Sequence, residues 1–147
     1  MSLNEEVELL RNIPMFANIE PSKLKLLAFT SERMTFKVGD VLFRQGEPGD
    51  SAYVIIGGEA DVIVDTPKGS LKVHTLKRND IVGEIAILCD VPRTATITAA
   101  SKLEVMVIAK DLFFRLVMEF PQMAVEIMRE LARRLDATNR KLTAKSA

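Results

Sequence analysis

Glu84 and Arg93 are the two residues of this sequence whose types and spacing suggest ligand chemistry. Glu84 follows a glycine, and Arg93 stands between Pro92 and the small residues Thr94 and Ala95. A guanidinium neutralises a phosphate and can donate two parallel hydrogen bonds to it, and backbone N–H groups at the start of a helical turn add further donors. A carboxylate accepts hydrogen bonds from sugar hydroxyls. Together these residues predict a site for a small molecule that carries a phosphate and a sugar.

The stretch 83–96, which contains both residues, also leaves room for such a ligand. Gly83 lets the backbone approach a bound group closely, and Ala86, Thr94 and Ala95 have small side chains. The stretch begins with the glycine, continues through a short apolar turn and ends on the arginine and small residues. A hairpin loop with an isolated arginine is the alternative interpretation.

Other catalytic and metal chemistry has few candidates in the sequence. His74 is the single histidine and Cys89 the single cysteine. A metal site of the cupin type needs clustered histidines and carboxylates, a nucleophilic triad needs a suitably placed histidine, and no pair of carboxylates stands out by spacing. We therefore expect a protein that is not an enzyme and has no metal. One cysteine excludes an internal disulfide and predicts a reducing, cytoplasmic location, with Cys89 as a small filler beside the stretch 83–96.

Composition favours a globular protein with a core of its own. The chain has 147 residues, of which 48% are hydrophobic, and this length fits one domain. Lys and Arg number 20, as do Asp and Glu, and the resulting zero net charge argues against a nucleic-acid-binding surface. No apolar run is long enough to span a bilayer, and the polar, acidic N-terminus does not fit a signal peptide.

Periodicity predicts helices at both ends and strands between them. Residues 4–29 read as helix, break and helix, with Pro21 at the start of the second helix. From Ser31 the period changes to two, and short strands alternate with turns that contain glycine, as in a β-sandwich or roll. After 83–96 come two more strands, a helix that we expect Asp111 to cap, and a last helix from Pro121 to about Leu142.

The last helix carries a heptad-like apolar seam. We expect its first half to pack on its own roll, and its second half offers a contact for a homodimer. The seam comprises Ala124, Met128, Leu131, Leu135, Thr138 and Leu142.

The stretch 83–96 resembles the phosphate-binding cassette of the cyclic nucleotide-binding domain family, which occurs in protein kinase A regulatory subunits, cyclic-nucleotide-gated channels and catabolite activator proteins. The resemblance extends over nearly the whole chain. It rests on Gly83-Glu84 with the apolar Ile85, Ile87 and Leu88, on Pro92-Arg93-Thr94-Ala95-Thr96, on the N-terminal segment 10–16, and on the glycine-rich turns, including Gly39-Asp40, Gly46-Glu47 and Gly58.

This resemblance implies an α+β fold: an antiparallel β-roll (double-stranded β-helix or jelly roll) with N-terminal helices and C-terminal lid helices. Residues 1–147 would form a single cyclic nucleotide-binding domain. The N-terminal helices would occupy 1–30, the roll with its cassette 31–109, and the C-terminal helices 110–142.

The ligand implied by the resemblance is cyclic AMP or cyclic GMP. Arg93 would hold the cyclic phosphate together with backbone N–H groups of Ala86, Thr94 and Ala95, and Glu84 would accept a hydrogen bond from the ribose 2′-hydroxyl. Val62, Val64, Leu76 and Val82 would line the sugar and base region. The binding residues implied by the cassette are Val82, Gly83, Glu84, Ile85, Ala86, Arg93, Thr94 and Ala95.

The choice of purine and the lid are implied less directly. Thr94 resembles the residue of members that prefer cyclic GMP, although many cyclic AMP binders carry threonine or serine there, and the likeness to a small bacterial member favours cyclic AMP. Arg133-Arg134-Leu135-Asp136 resembles the lid segment of cyclic-nucleotide-gated channels, so Arg134 would reach the purine; a solvated charge is the alternative. The base and lid residues are Arg134, Leu131, Val64 and His74.

The resemblance also implies a partner, an unidentified protein that the domain regulates. One alternative is a truncated transcription regulator of the catabolite-activator type, which would need a helix-turn-helix beyond Ala147; the other is a degenerate domain that docks without binding. Intact Glu84 and Arg93 argue against the second. Asn79-Asp80-Ile81 stands where many members have Gly-Asp and an aromatic residue, and we expect Asn79 to adopt the positive φ that this turn requires.

Overall fold

The computed structural model describes residues 2–146, without the side chains of Arg134, Ala137, Thr138 and residues 141–146. The N-terminal part consists of α1 (Leu3–Arg11), a 3₁₀ turn (Pro14–Phe16) and α2 (Pro21–Thr30). Ser2 and Glu5 form a capping box at the start of α1, and Pro21 occupies the first turn of α2, where its missing N–H costs nothing. The predicted helix, break and helix is therefore confirmed.

In the part of the chain that the structure describes, eight strands form the centre, and every pairing between them is antiparallel. One four-stranded sheet has the order β1-β8-β3-β6 and the other the order β2-β7-β4-β5. The helix α3 (Glu84–Cys89) connects β6 to β7. The strands are β1 (Glu32–Phe36), β2 (Val41–Phe43), β3 (Ser51–Gly57), β4 (Ala60–Thr66), β5 (Gly69–Leu76), β6 (Ile81–Val82), β7 (Thr96–Ala99) and β8 (Leu103–Ala109).

Two hydrophobic clusters divide the core into layers. The cluster inside the roll combines residues of both sheets, including Ile55 of β3 and Ile97 of β7. The second cluster joins the outer face of the first sheet to the helices, and Val54 of β3 belongs to it. Because successive strand residues point to opposite faces, β3 contributes to both clusters. The predicted α+β jelly roll with flanking helices is confirmed.

The C-terminal part consists of α4 (Lys110–Glu119) and α5 (Pro121–Ser146). The prediction that Asp111 caps α4 is wrong. Ala109 is at the N-cap without a side-chain hydrogen bond, and Asp111 lies in the first turn. A carboxylate there still interacts favourably with the helix dipole.

The first half of α5 contacts the 3₁₀ turn and α4, and its buried apolar residues belong to the cluster that includes the outer face of the first sheet. Its buried apolar residues are Met123 and Ile127, which the predicted seam omitted. Met128 and Leu135 of the seam are 60% and 63% exposed. Within residues 2–146, the helices include none with an apolar stretch sufficient to cross a bilayer.

Candidate functional site

Three residues with positive φ shape the chain around α3: Asn79 and Gly83 before the helix, and Asp90, with a φ of +52°, at its C-cap. Gly83 precedes the helix with a φ of +90°, so the chain leaves β6 and enters α3 within one residue. Residues other than glycine rarely adopt this backbone conformation. Asn79 has a φ of +77° in the turn before β6, as we expected of the residue that replaces the usual glycine.

Arg93 is almost fully buried, with 4% of the residue exposed. Its Nη1 donates a hydrogen bond to the carbonyl oxygen of Gly83 at 3.1 Å. Nη2 lies 3.9 Å from Oδ1 of Asp50, which is an ion-pair distance but too long for a hydrogen bond. Nε is buried and has no hydrogen-bond partner in the described part of the chain. The edge of the guanidinium formed by Nε and Nη2 therefore has donors to offer.

Burial also changes the electrostatics of this arginine. Desolvation lowers the pKa of the Arg93 guanidinium from its ordinary value, and electrostatic interactions, the strongest with Tyr53, act in the opposite direction. An arginine remains charged under such a shift. Leaving a buried donor without a partner costs about 1–3 kcal/mol, more for a charged group. An anion that accepts hydrogen bonds from Nε and Nη2 would remove this cost.

A cavity of about 170 Å³ lies beside this guanidinium. Glu84, the first residue of α3, is 8% exposed and lines the same cavity as Arg93. The structure thus brings together the carboxylate and the guanidinium on which the sequence prediction depends. All eight residues predicted from the cassette lie on the cavity wall; the lining residues are Phe43, Val62, Ile81, Val82, Gly83, Glu84, Ile85, Ala86, Arg93, Thr94, Ala95 and Ile97. Their roles toward a ligand stay predictions.

Val64, His74 and Leu131, predicted for the base and the lid, are not among the described residues that line the cavity. Val64 is half-buried on β4, two positions beyond Val62, which does line it. His74 is exposed on β5 and pairs with Val62 across the hairpin. Leu131 is half-buried on α5 and packs against the cluster formed with the helices. The side chain of Arg134 lies outside the described residues.

Leu76 and Cys89 also differ from their predicted settings. Leu76 is buried within the cluster inside the roll and is absent from the cavity lining. Cys89 is exposed, so the prediction that it fills space beside the cassette is wrong. In the described part of the chain, histidine, cysteine and carboxylate side chains form no group of three or more that could hold a metal ion.

Two residues that lie against Arg93 were not predicted from the sequence. Phe43 lines the cavity, and the Cζ atom of Arg93 lies 4.0 Å from the centre of its ring. Gly49 lies on another side: an added Cβ there would overlap Cβ of Ala86 and lie 3.3 Å from both Cζ and Nε of Arg93. The sequence identified Gly49 only as part of a turn and Phe43 only as part of a strand, since neither is near Arg93 along the chain.

Comparison with known proteins agrees with this geometry. The sequence profile described as "Cyclic nucleotide-binding domain" matches residues 33–120. The chain is 30% identical over 136 residues to the CRP-like cAMP-activated global transcriptional regulator of Mycobacterium tuberculosis, covering 92% of this chain and 61% of the regulator. It is 39% identical over 108 residues to the cAMP-dependent protein kinase regulatory subunit of Yarrowia lipolytica, covering 73% of this chain and 28% of the subunit.

Solved structures show the same fold. The N-terminal domain of a transcriptional regulator from Streptomyces coelicolor is 30% identical, with a TM-score of 0.78, and the match covers 89% of this chain and 94% of that domain. The catabolite activator protein of Thermus thermophilus has a TM-score of 0.80 at 23% identity, over 90% of this chain and 63% of that protein, and shows the fold alone.

Two limits follow from these relatives. This chain spans less than two thirds of the length of the curated relatives named above. Because some relatives are transcriptional regulators, they give no support to the expectation that the protein lacks contact with nucleic acid.

The family itself is regulatory and binds ligands. Since the profile match covers well over half of the residues, the chain belongs to the cyclic nucleotide-binding domain family.

Proposed function

We propose that this protein is a sensor that binds cyclic AMP or cyclic GMP in the cavity between Glu84 and Arg93, and that it regulates a partner rather than catalysing a reaction. The observation that carries the proposal is the state of Arg93: a buried guanidinium on the cavity wall, with Nε unpartnered in the described part of the chain. The proposal takes residues 1–147 as one binding domain. It places the protein in the cytoplasm, where Cys89 stays reduced.

The phosphate contact follows from the geometry of the guanidinium. Nη1 is used by the Gly83 carbonyl, whereas Nε and Nη2 share the opposite edge. Two N–H groups on one edge match two oxygens of one phosphate, the bidentate arrangement that arginine favours. A cyclic phosphodiester offers two such oxygens. Backbone N–H groups of Ala86, Thr94 and Ala95, which line the cavity, would add donors.

Glu84 would recognise the ribose. Its carboxylate lines the cavity and can accept a hydrogen bond from the 2′-hydroxyl. A deoxy analogue lacks this hydroxyl and would lose the hydrogen bond to Glu84. The site would therefore discriminate against deoxynucleotides.

The test of the proposal is the substitution Arg93→Ala, with isothermal titration of cyclic AMP and cyclic GMP into both proteins. Removing one partner of a buried charge pair costs about 2–5 kcal/mol, so affinity should fall at least about tenfold. Arg44→Ala is the matched control, because Arg44 is an exposed arginine that follows Phe43 and is not among the lining residues; it should bind like the wild type. A titration unchanged by Arg93→Ala would refute the assignment.

In our proposal the site prefers cyclic AMP to cyclic GMP. It is supported by the names of the two curated relatives, which are a cAMP-activated regulator and a cAMP-dependent kinase subunit. Thr94 could instead favour cyclic GMP through its hydroxyl. Competition between the two nucleotides, in the wild type and in Thr94→Ala, distinguishes a preference for cyclic AMP from one for cyclic GMP. If Thr94→Ala loses only cyclic GMP binding, the proposed preference for cyclic AMP is reversed.

We also propose that α5 closes on the base and carries the signal. A ligand changes an equilibrium only if it binds one state better. Val64 and His74 would lie on the base side of the roll, and Leu131, with Arg134, would contact the purine only after α5 has moved. Hydrogen exchange in residues 121–142 should slow when cyclic AMP binds. Equal exchange with and without ligand would exclude the lid.

The partner is proposed as an unidentified regulated protein or a second copy of this chain. Met128 and Leu135 are exposed seven positions apart on α5, as in a coiled-coil seam. If they form a homodimer, sedimentation equilibrium should give a dimer for the wild type and a monomer for Met128→Lys. A monomeric wild type leaves the regulated protein as partner.

A second candidate function is the sensing part of a transcriptional regulator. The observation that favours it is the match of the M. tuberculosis regulator to 92% of this chain. Because this function needs a helix-turn-helix beyond Ala147, the test is an electrophoretic mobility shift of double-stranded DNA by the full-length gene product, with and without cyclic AMP. The absence of a shift in both conditions would exclude it. A degenerate domain without ligand is the remaining alternative, and intact Glu84 and Arg93 in one cavity argue against it.

A further inference from the structure

We propose that Phe43 is a positioning residue for the anion site: its ring holds the Arg93 guanidinium, before ligand enters, in the orientation that presents Nε and Nη2 to a phosphate. This inference rests on the proposed function, because it concerns how the same cavity binds its ligand. Phe43 is the last residue of β2 and is 8% exposed.

The first argument is the stacking geometry. Cζ of Arg93 lies 4.0 Å from the centre of the Phe43 ring and 5.9 Å from that of Tyr53. The two rings are themselves 5.7 Å apart. A cation within about 6 Å of an aromatic ring centre is attracted to it, and the attraction is stronger where water is excluded. The side chain of Arg93 is 2% exposed, so this contact is of the stronger kind.

The second argument is that the guanidinium is enclosed on its other sides as well. A Cβ added to Gly83 would lie 2.6 Å from Nη1 of Arg93 and 3.5 Å from Cε2 of Phe43. A Cβ added to Gly49 would lie 3.3 Å from Cζ and Nε. The group therefore occupies a close-fitting space between one ring and two glycines, and the Gly83 carbonyl fixes its rotation through Nη1.

The consequence is a preordered anion site. An arginine side chain loses considerable rotamer freedom when it is held in one place. Here that loss occurs on folding, so a ligand does not have to order the side chain when it binds, which strengthens binding. A leucine at position 43 keeps an apolar neighbour but lacks the ring face. The effect of Phe43 should therefore concern the phosphate and leave the sugar and base contacts unchanged.

The experiment compares Phe43→Leu and Phe43→Tyr with the wild type, using two probes: cyclic AMP and its neutral methyl phosphotriester. The range of cation–π strengths corresponds to about a two- to thirtyfold change in affinity. We expect Phe43→Leu to lose about this much affinity for cyclic AMP and less than about twofold for the triester. Phe43→Tyr, which keeps a ring face, should restore cyclic AMP binding.

A second measurement needs no ligand. Nitrogen-15 relaxation of the Arg93 Nε–H group, assigned with Arg93→Lys, reports how rigid the guanidinium is on the picosecond to nanosecond timescale. We expect a rigid group in the wild type and in Phe43→Tyr, and a mobile one in Phe43→Leu.

The outcomes separate the inference from the proposed function. Equal losses for cyclic AMP and the triester, or an equally rigid Nε–H in Phe43→Leu, would overturn the role of Phe43. If the wild type binds neither cyclic AMP nor cyclic GMP, the proposed function fails, whereas the relaxation data still decide whether Phe43 orders Arg93.

Discussion

Gly49→Ala should disturb the cassette and the anion site together. A methyl group at this position would overlap Cβ of Ala86 on α3 and lie 3.3 Å from Cζ and Nε of Arg93. Comfortable separations between carbon atoms are about 3.5–4.0 Å. Either α3 or the guanidinium must therefore move away from Gly49.

The magnitude can be isolated with a matched control. Neither Gly49 nor Gly57 has a positive φ, and a Cβ at Gly57 would meet no atom within 4 Å. Replacing glycine by alanine in a compatible conformation stabilises a protein by about 0.4–1 kcal/mol through the unfolded state. This term is common to both variants, so their difference reports overpacking, which costs about 1–3 kcal/mol. We expect Gly49→Ala to be less stable than Gly57→Ala by that amount.

Urea unfolding measures the stability difference, and isothermal titration of cyclic AMP measures the effect on binding. If Arg93 loses one charge-assisted hydrogen bond to the ligand, worth about 1.5–3 kcal/mol, affinity should fall by about tenfold or more in Gly49→Ala. Gly57→Ala should bind as the wild type does. Two alanine variants of equal stability and equal affinity would show that Gly49 does not determine the position of Arg93 or α3.

Two further predictions concern backbone conformations with positive φ. Asn79→Ala should lower the free energy of unfolding by about 1–2 kcal/mol, because alanine is strained at a φ of +77°, whereas Asn79→Gly should change it by less than about 0.5 kcal/mol; urea unfolding of the pair decides, and equal stabilities would contradict the argument. Gly58→Ala should be at least as harmful, because its φ is +87° and its Cβ would overlap the backbone carbonyl of Lys102; a melting temperature equal to that of the wild type would show that the turn after β3 relaxes freely.

The parts of the fold that the sequence predicted depend on neighbouring residues. The apolar run 52–56, the alternation along β4 and the turns with glycine predicted the strands. The Gly83-Glu84 pair predicted a short apolar turn, which the structure shows as the start of α3. The positive φ of Asn79 could also be predicted, because asparagine tolerates this conformation and the family has a glycine there.

The parts that could not be predicted depend on contacts between distant segments. Nothing local indicates that Phe43 stacks on Arg93, since the two residues meet only after β2 and the cassette have been brought together by the roll. The apolar spacing of α5 predicted an amphipathic helix. Which of its faces is buried was decided by the cluster of helix and sheet residues that includes Met123 and Ile127 and leaves Met128 exposed.

The placement of α3 between two environments has a mechanical consequence. Ala86 lines the cavity, whereas its neighbour Ile87 is 1% exposed within the cluster shared with the terminal helices. Adjacent residues of this six-residue helix thus face the cavity and the hydrophobic cluster. Close-packed interiors resist compression, so a tilt of the helix toward an occupant must displace the atoms behind it. We therefore expect an occupant of the cavity that tilts α3 to rearrange hydrocarbon contacts about one side chain's width away.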